Sequence, residues 1–239
     1  MIIKEYDFKV KTYHCAPHGR LGLHSLMQQM QEAASLHAEE LGVGEQWLIE
    51  NNDMWVLVDL KVKIESLPSW REDVTIYTWP SGYNAIKAYR EFLAQGSSGE
   101  ELFRASSSWM VLSKEKKMPA MMRDVLKNMP KGSRRNFPEM KRLKIPEKVY
   151  FIKDQTVPYH SIDSNGHVNN TEYVKWSVDG AHKAGVPVER IRSLQASFLA
   201  EVFEGDELEV LRTDPKENRT MIAMIRKKDG KNVFLMEIG

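Results

Sequence analysis

Residues 21–42 read LGLHSLMQQMQEAASLHAEELG, and their period decides the fold. Leu26, Met30, Ala33 or Ala34, His37 and Leu41 recur at helical spacing, so the stretch predicts one amphipathic helix with Gly42 as its stop. The period then changes. MWVLVDLKVKIESL (54–67), DVTIYTW (73–79), AYREFLA (88–94) and ELFRASSSWMVLS (101–113) are rich in Val, Ile, Thr and aromatic residues, and SLPSW, PSGYN and GSSGE punctuate them as turns. A long helix followed by several antiparallel strands is an α+β pattern.

The second half repeats that order. After an extended VPYHSI (157–162), Asn169 and Glu172 form an N-cap and capping-box pair. Tyr173, Ser177, Ala181 and Ala184 then share a helical face with Val174 and Val178 beside it, and Gly185 and Pro187 end the helix. The strands QASFLAEVF, DELEVLRT, TMIAMIRKK and NVFLMEI follow, and Tyr13-His14 and Tyr159-His160 take like places before the two helices. The order implies a duplicated unit: a first domain over 1–115, a connector over 116–148 and a second domain over 149–239.

Composition narrows the class. The chain has 239 residues, 42% hydrophobic and 28% charged, the make-up of a soluble globular protein. The opening MIIKEYDFKV interrupts any signal-peptide core with charge, and no apolar run reaches membrane-spanning length, so a cytoplasmic protein with no membrane partner is expected. Cys15 is the single cysteine, which excludes an internal disulfide and any multi-cysteine metal site. The net charge of +1 is uneven: residues 114–148 hold twelve Lys or Arg against four Asp or Glu. That segment is either a solvated connector or a surface for an acidic partner. It matches no nucleic-acid-binding motif, so no nucleic-acid partner is expected.

HSIDSNGHVNN (160–170) admits three readings. Asn165-Gly166 alone reads as a hairpin turn. His160, Asp163 and His167 read as metal ligands, although the spacing matches no well-attested zinc motif, and no metal is expected. The third reading is a catalytic loop at a helix N-terminus, where the free backbone N–H groups of the first turn behind the Asn169 cap could hold an oxyanion and Asp163, Asn165 and His167 would handle water and protons. Alternation along QASFLAEVF puts Glu201 on one face with Leu199 and Phe203, turned toward a core or pocket as a general base; the alternative is a strand-end Glu in solvent. The first half is a control. There HCAPHGRLGLHS places Pro17 near the position of Asp163 and Arg20 near that of His167, so one half alone carries the chemistry.

HGRLGLHSLMQQMQEAASLHAEELG, WVLVDLKVKIESLPSWREDVTIYTW and RASSSWMVL in the first half, with DSNGHVNNTEYVKW and FLAEVFEGDEL in the second, resemble the acyl-acyl carrier protein thioesterases of bacteria and plants. The resemblance implies two tandem hotdog domains, each a long helix wrapped by an antiparallel sheet, and hydrolysis of fatty acyl-acyl carrier protein thioesters without a cofactor. Asp163, Asn165 and His167 match the family's loop residues and Glu201 its downstream acid; in the mechanism this implies, N–H groups near Val168 and Asn169 receive the oxyanion. Plant members carry a cysteine after that acid; here the position is Val202, which excludes a thiolate there and favours water as nucleophile. The resemblance also makes Leu26, Met27 and Met30 candidates for the acyl pocket, and Lys116, Lys117, Arg134 and Arg135 candidates for docking the acidic carrier protein. An acyl-CoA thioesterase of the same fold and a non-catalytic acyl-thioester sensor are the rivals, and a homodimer stays open.

Overall fold

The computed structural model describes residues 3–116, 118–126, 134–137, 140 and 142–239, with the side chain of residue 123 outside the description. The chain divides into two compact units, Met1–Met140 and Lys141–Gly239. The first contains β1 (Lys4–Lys9), α1 (Leu23–Glu40), α2 (Glu45–Asn51), β2 (Asp53–Ile64), β3 (Asp73–Tyr83), β4 (Ala88–Gly96), β5 (Glu101–Ser113) and the short α3 (Met122–Val125). Its strands pair antiparallel in the order β1-β3-β4-β5-β2. The second contains β6 (Tyr150–Thr156), α4 (Asn170–Lys183), β7 (Ser193–Phe198), β8 (Glu207–Arg212), β9 (Thr220–Arg226) and β10 (Lys231–Ile238). Its order is β6-β8-β9-β10-β7, also antiparallel, so the two units share one connectivity.

Each helix lies on its sheet because its apolar stripe matches the sheet's inward face. On α1, Leu23, Leu26, Met27, Met30, Ala33 and Ala34 are buried, and the helix packs on β1 and β3. On α4, Tyr173 stacks on Phe234 with ring centroids 5.1 Å apart and meets Phe198 and Trp176 edge-on, each at 5.8 Å. Burying an aromatic or aliphatic side chain of this size contributes roughly 1.5–3 kcal/mol, so these clusters seat the helices. Burial pushes the Tyr173 phenol well above its ordinary range.

Correspondence between the units extends to single hydrogen bonds. Ahead of α1, Cys15 bridges Leu21, Ala16 N–H donates to the Arg20 carbonyl and Gly19 N–H to the Ala16 carbonyl. Ahead of α4, Ile162 bridges Val168, Asp163 N–H donates to the His167 carbonyl and Gly166 N–H to the Asp163 carbonyl. Gly19 and Gly166 both take left-handed backbone, with φ of 78° and 79°, a conformation that glycine adopts without steric cost. The position of Asp163 is therefore matched by Ala16 and not by Pro17, one residue off the sequence-based expectation, while Arg20 does match His167. Tyr13 likewise aligns with His160, because the turns Thr12–His14 and Tyr159–Ser161 superpose one residue out of step with the Tyr-His pairs.

Three local expectations need correction. Residues 159–161 form a 3-10 turn and are not extended. Asn169 does cap α4, its side-chain oxygen accepting from Thr171 N–H at 2.9 Å. No reciprocal capping box forms, because Asn169 N–H donates to the Ser161 carbonyl and the Glu172 carboxylate accepts from the Ser161 hydroxyl instead. Finally, β7 stops at Phe198, so Glu201 lies beyond the strand.

Part of the basic segment is tied to the first sheet. Asn136 donates its side-chain amide to the carbonyls of Phe92 and Ala105 at 2.8 and 2.9 Å, and its N–H to the buried Glu91 carboxylate at 2.9 Å. Trp79 Nε1 donates to the Arg134 carbonyl. Four residues, 134–137, thus act as a strap, which a charge count does not reveal.

Candidate active site

The loop ahead of α4 is built by Asp163. Its Oδ1 accepts from Asn165 N–H at 2.8 Å, its carbonyl from Gly166 N–H at 3.0 Å, and its own N–H closes on the His167 carbonyl at 2.8 Å. A carboxylate that bonds the backbone two residues on is a local turn-former. The hydrogen-bonded turn runs Asp163 to Gly166, so Asn165 occupies the third position, exposed, and Asn165-Gly166 is not the centre of a two-residue hairpin. His167 follows, with its side chain 18% exposed.

Glu201 enters from the other side. Past the end of β7 the chain buries Val202 completely and leaves Phe203 exposed. Glu201 and Phe203 share a face, as alternation requires, but that face meets the His167 loop and not the core. The Phe203 ring lies 5.0 Å from the His167 ring. Glu201 Oε1 stands 3.4 Å from His167 Nε2. That oxygen is shielded from solvent and makes no hydrogen bond among the described residues. A carboxylate facing an imidazole, with acceptor capacity to spare, is suited to receiving a proton from water.

Backbone bonds hold the two segments together. Val168 N–H donates to the Val202 carbonyl at 3.0 Å and Asn169 N–H to the Ser161 carbonyl at 2.8 Å. Both groups named as oxyanion donors from the sequence are thereby committed to carbonyls, which corrects that expectation: closing the loop onto α4 uses them. The N–H of Asn170, the first residue of α4, makes no hydrogen bond among the described residues, since Thr171 and Glu172 use the two acceptors of Asn169.

Two further residues escaped the sequence reading. Arg226 Nη1 donates to the Glu201 carbonyl at 2.8 Å, while Nε and Nη2 reach Asp229 at 3.1 and 2.6 Å. Asp206 Oδ2 accepts from Phe203 N–H at 3.1 Å. They brace both ends of the Glu201–Phe203 segment. Arg226 in turn holds the Asp229 carboxyl down to about 2. Arg226 lies in the strand TMIAMIRKK, where a basic residue among others carries no local signal.

The remaining candidates lie elsewhere. Leu26, Met27 and Met30 are buried in the core of the first unit. A pocket, partly open to solvent, does lie in that unit, but α1 reaches it through Ala34, Ser35 and Ala38, and none of the three expected residues lines it. Trp55, Tyr89, Arg90 and Trp109 form other parts of its wall. Lys116 is exposed, and Arg134 and Arg135 are exposed on the strap, with the Arg135 guanidinium 3.9 Å over the Tyr89 ring. Lys117 lies outside the described residues. His160 is exposed on its turn, and among the described residues no group of three or more His, Cys, Asp or Glu could hold a metal ion. Cys15 sits in the first unit, its thiol directed at the Lys11 carbonyl at 3.5 Å. Among the described residues no helix is long and apolar enough to cross a membrane.

Comparison with known proteins agrees with this architecture. The family model of the acyl-ACP thioesterase N-terminal domain matches residues 3–129, and that of the acyl-ACP thioesterase C-terminal domain matches residues 145–238. A chloroplastic acyl-[acyl-carrier-protein] hydrolase of Cuphea viscosissima is 23% identical over 251 residues, covering 97% of this chain and 60% of that protein. A chloroplastic palmitoyl-acyl carrier protein thioesterase of Arabidopsis thaliana is 25% identical over 217 residues, covering 84% and 52%. The chain thus spans about half to three-fifths of the length of these relatives. Among solved structures, an acyl-ACP thioesterase from Bacteroides thetaiotaomicron superposes with a TM-score of 0.86 at 25% identity, over 99% of this chain and 96% of that one. The 12:0-ACP thioesterase from Umbellularia californica has the same score at 20% identity, over 100% and 96%.

Proposed function

Because the chain belongs to the acyl-ACP thioesterase family, we propose that it hydrolyses fatty acyl-acyl carrier protein thioesters to free fatty acid and carrier protein. In this reading the chain is two tandem hotdog domains, the first shaping the acyl site and the second carrying the chemistry, and it works in the cytoplasm in fatty acid synthesis. The observation that carries the reading is the pairing of Glu201 with His167 at 3.4 Å beside the α4 N-terminus, within the half that matches the family's C-terminal domain.

A thioester needs only modest help. Its thiol leaving group has a pKa of about 8.5, far below that of an alcohol, so an activated water suffices. Glu201 takes the proton from that water and His167 orients it, which the shielded Oε1 and facing Nε2 support. Asn165 positions water and substrate at the loop tip. Asp163 holds the loop in shape. The N–H of Asn170 is the first-turn donor left to stabilise the developing oxyanion, where the helix dipole adds to it. Val202 at the place of the plant cysteine leaves water as the attacking group.

Carrier-protein docking on Lys116, Lys117, Arg134 and Arg135 is part of the same proposal, because a basic surface suits an acidic protein. Charge reversal at Lys116, Arg134 and Arg135 should raise KM for carrier-protein substrates and flatten its salt dependence. The deciding assay is turnover of acyl carrier protein and CoA thioesters of graded chain length. Preferential turnover of the carrier-protein thioesters is expected; turnover of neither would refute the proposal.

A further inference from the structure

The pocket of the first unit has an apolar wall with one cation in it. Ala34, Ala38 and Gly82 leave the space open, and Trp55 and Trp109 wall it. Both indoles are pinned, Trp55 Nε1 to the Val43 carbonyl at 2.9 Å and Trp109 Nε1 to the Ser107 hydroxyl at 2.8 Å. Arg90 also lines the space, although the residue is only 9% exposed. The space is partly open to solvent, which gives a ligand a way in.

What surrounds Arg90 is neutral. Nη1 reaches His37 Nδ1 at 3.0 Å and Thr78 Oγ1 at 3.2 Å. A guanidinium only donates, so His37 Nδ1 accepts, which is the neutral imidazole; Thr78 spends its own hydroxyl proton on the Glu91 carbonyl at 3.0 Å. Glu91 cannot serve as counter-ion. As the next residue along β4 it points to the opposite face, where Ser81, Ser106 and Asn136 hold its carboxylate. Among the described residues no carboxylate lies within ion-pair distance of Arg90. Desolvation alone lowers its pKa, to about 10, which still leaves it charged at neutral pH. An uncompensated buried cation is costly, and here it faces a space shaped for an apolar chain.

We propose that this pocket binds a long-chain carboxylate, its chain between Trp55 and Trp109 and its carboxylate on the Arg90 guanidinium. Two sources supply that chemistry: the fatty acid released by the reaction, and an acyl chain with a carboxylate at its far end. Only the first source rests on the function proposed above. Binding itself needs no turnover, so failure of this site and failure of that function are distinguishable.

The test is equilibrium binding to the intact protein without any thioester present. Dodecanoate, dodecanol and the monomethyl ester of dodecanedioic acid compete with a brominated fatty acid whose binding quenches tryptophan fluorescence. Both carboxylates should bind native protein on the order of tenfold or more tighter than the alcohol, as expected for a charge-assisted pair. Arg90→Met should abolish that preference and Arg90→Lys should retain part of it. Inhibition of native turnover by dodecanoate that is lost in Arg90→Met assigns the released product as the source. Faster turnover of an ω-carboxyacyl thioester than of the plain one, in native protein alone, assigns the substrate. Equal affinity of native protein for acid and alcohol overturns the proposal, and that comparison decides even where Arg90→Met does not fold.

Discussion

Replacing Arg226 by Met separates the base from the group that places it. The substitution keeps the stem and removes the cation, deleting the 2.8 Å bond to the Glu201 carbonyl and the two bonds to Asp229. A hydrogen bond to a charged donor contributes about 1.5–3 kcal/mol; the exposed Asp229 pair adds little. Taking about 2 kcal/mol, thermal unfolding of a chain this size should drop by roughly 4–8 °C. The kinetic effect has a different cause. Glu201 is held beside His167 through its own backbone, and a displacement of about 1 Å at a reacting group can cost on the order of 10²-fold. Steady-state kinetics on an acyl carrier protein thioester should show kcat down by about 10- to 100-fold with KM nearly unchanged, since Arg226 touches the base and not the acyl chain. Arg226→Lys should recover part of kcat, because one ammonium cannot serve both Glu201 and Asp229. A lowered melting temperature with unchanged kcat would refute the positioning role and leave Arg226 a structural residue.

Asp163→Asn and Asp163→Ala should part company. Asn keeps a carbonyl oxygen for Asn165 N–H and should retain most activity, whereas Ala loses the turn and should cost about 1 kcal/mol of stability with a larger kinetic loss; abolition by Asn would instead make Asp163 the base or nucleophile. At low pH, the Asp229 carboxyl, held at about 2 by Arg226, contributes stability that is complete above the ordinary Asp value of about 3.9 and is lost as pH falls through about 2. Acid unfolding followed by circular dichroism should therefore be flatter over that interval in Asp229→Asn, and identical acid limbs would contradict the ion pair.

Much of the fold was legible because its signals are local. The stripe Leu26, Met30, Ala33 and His37 and the stop at Gly42 mark α1, and Asn169 marks the start of α4. The duplicated order of helix and strands follows from period alone. The alignment of the two halves failed by one residue, at Pro17 and Tyr13, because the matching element is a hydrogen-bonded turn and not a residue type. Glu201 was singled out by a correct alternation along a strand read as too long: β7 ends at Phe198, and the face that Glu201 shares with Phe203 meets the His167 loop. The oxyanion donors were misplaced because a helix start advertises free N–H groups without showing which ones the preceding loop consumes. Arg226 and Arg90 were invisible for a simpler reason. Their roles depend on partners many residues distant, and nothing in the neighbouring sequence distinguishes them from other strand residues.

The central claim is that Glu201, facing His167, activates water. Glu201→Gln preserves size and hydrogen-bonding shape while removing the base, so single-turnover hydrolysis of an acyl carrier protein thioester by the folded variant tests it most directly. Loss of a general base should slow that step by roughly 10²–10⁴-fold with substrate affinity and melting temperature near native. A Glu201→Gln protein that hydrolyses the thioester at the native rate would contradict the account.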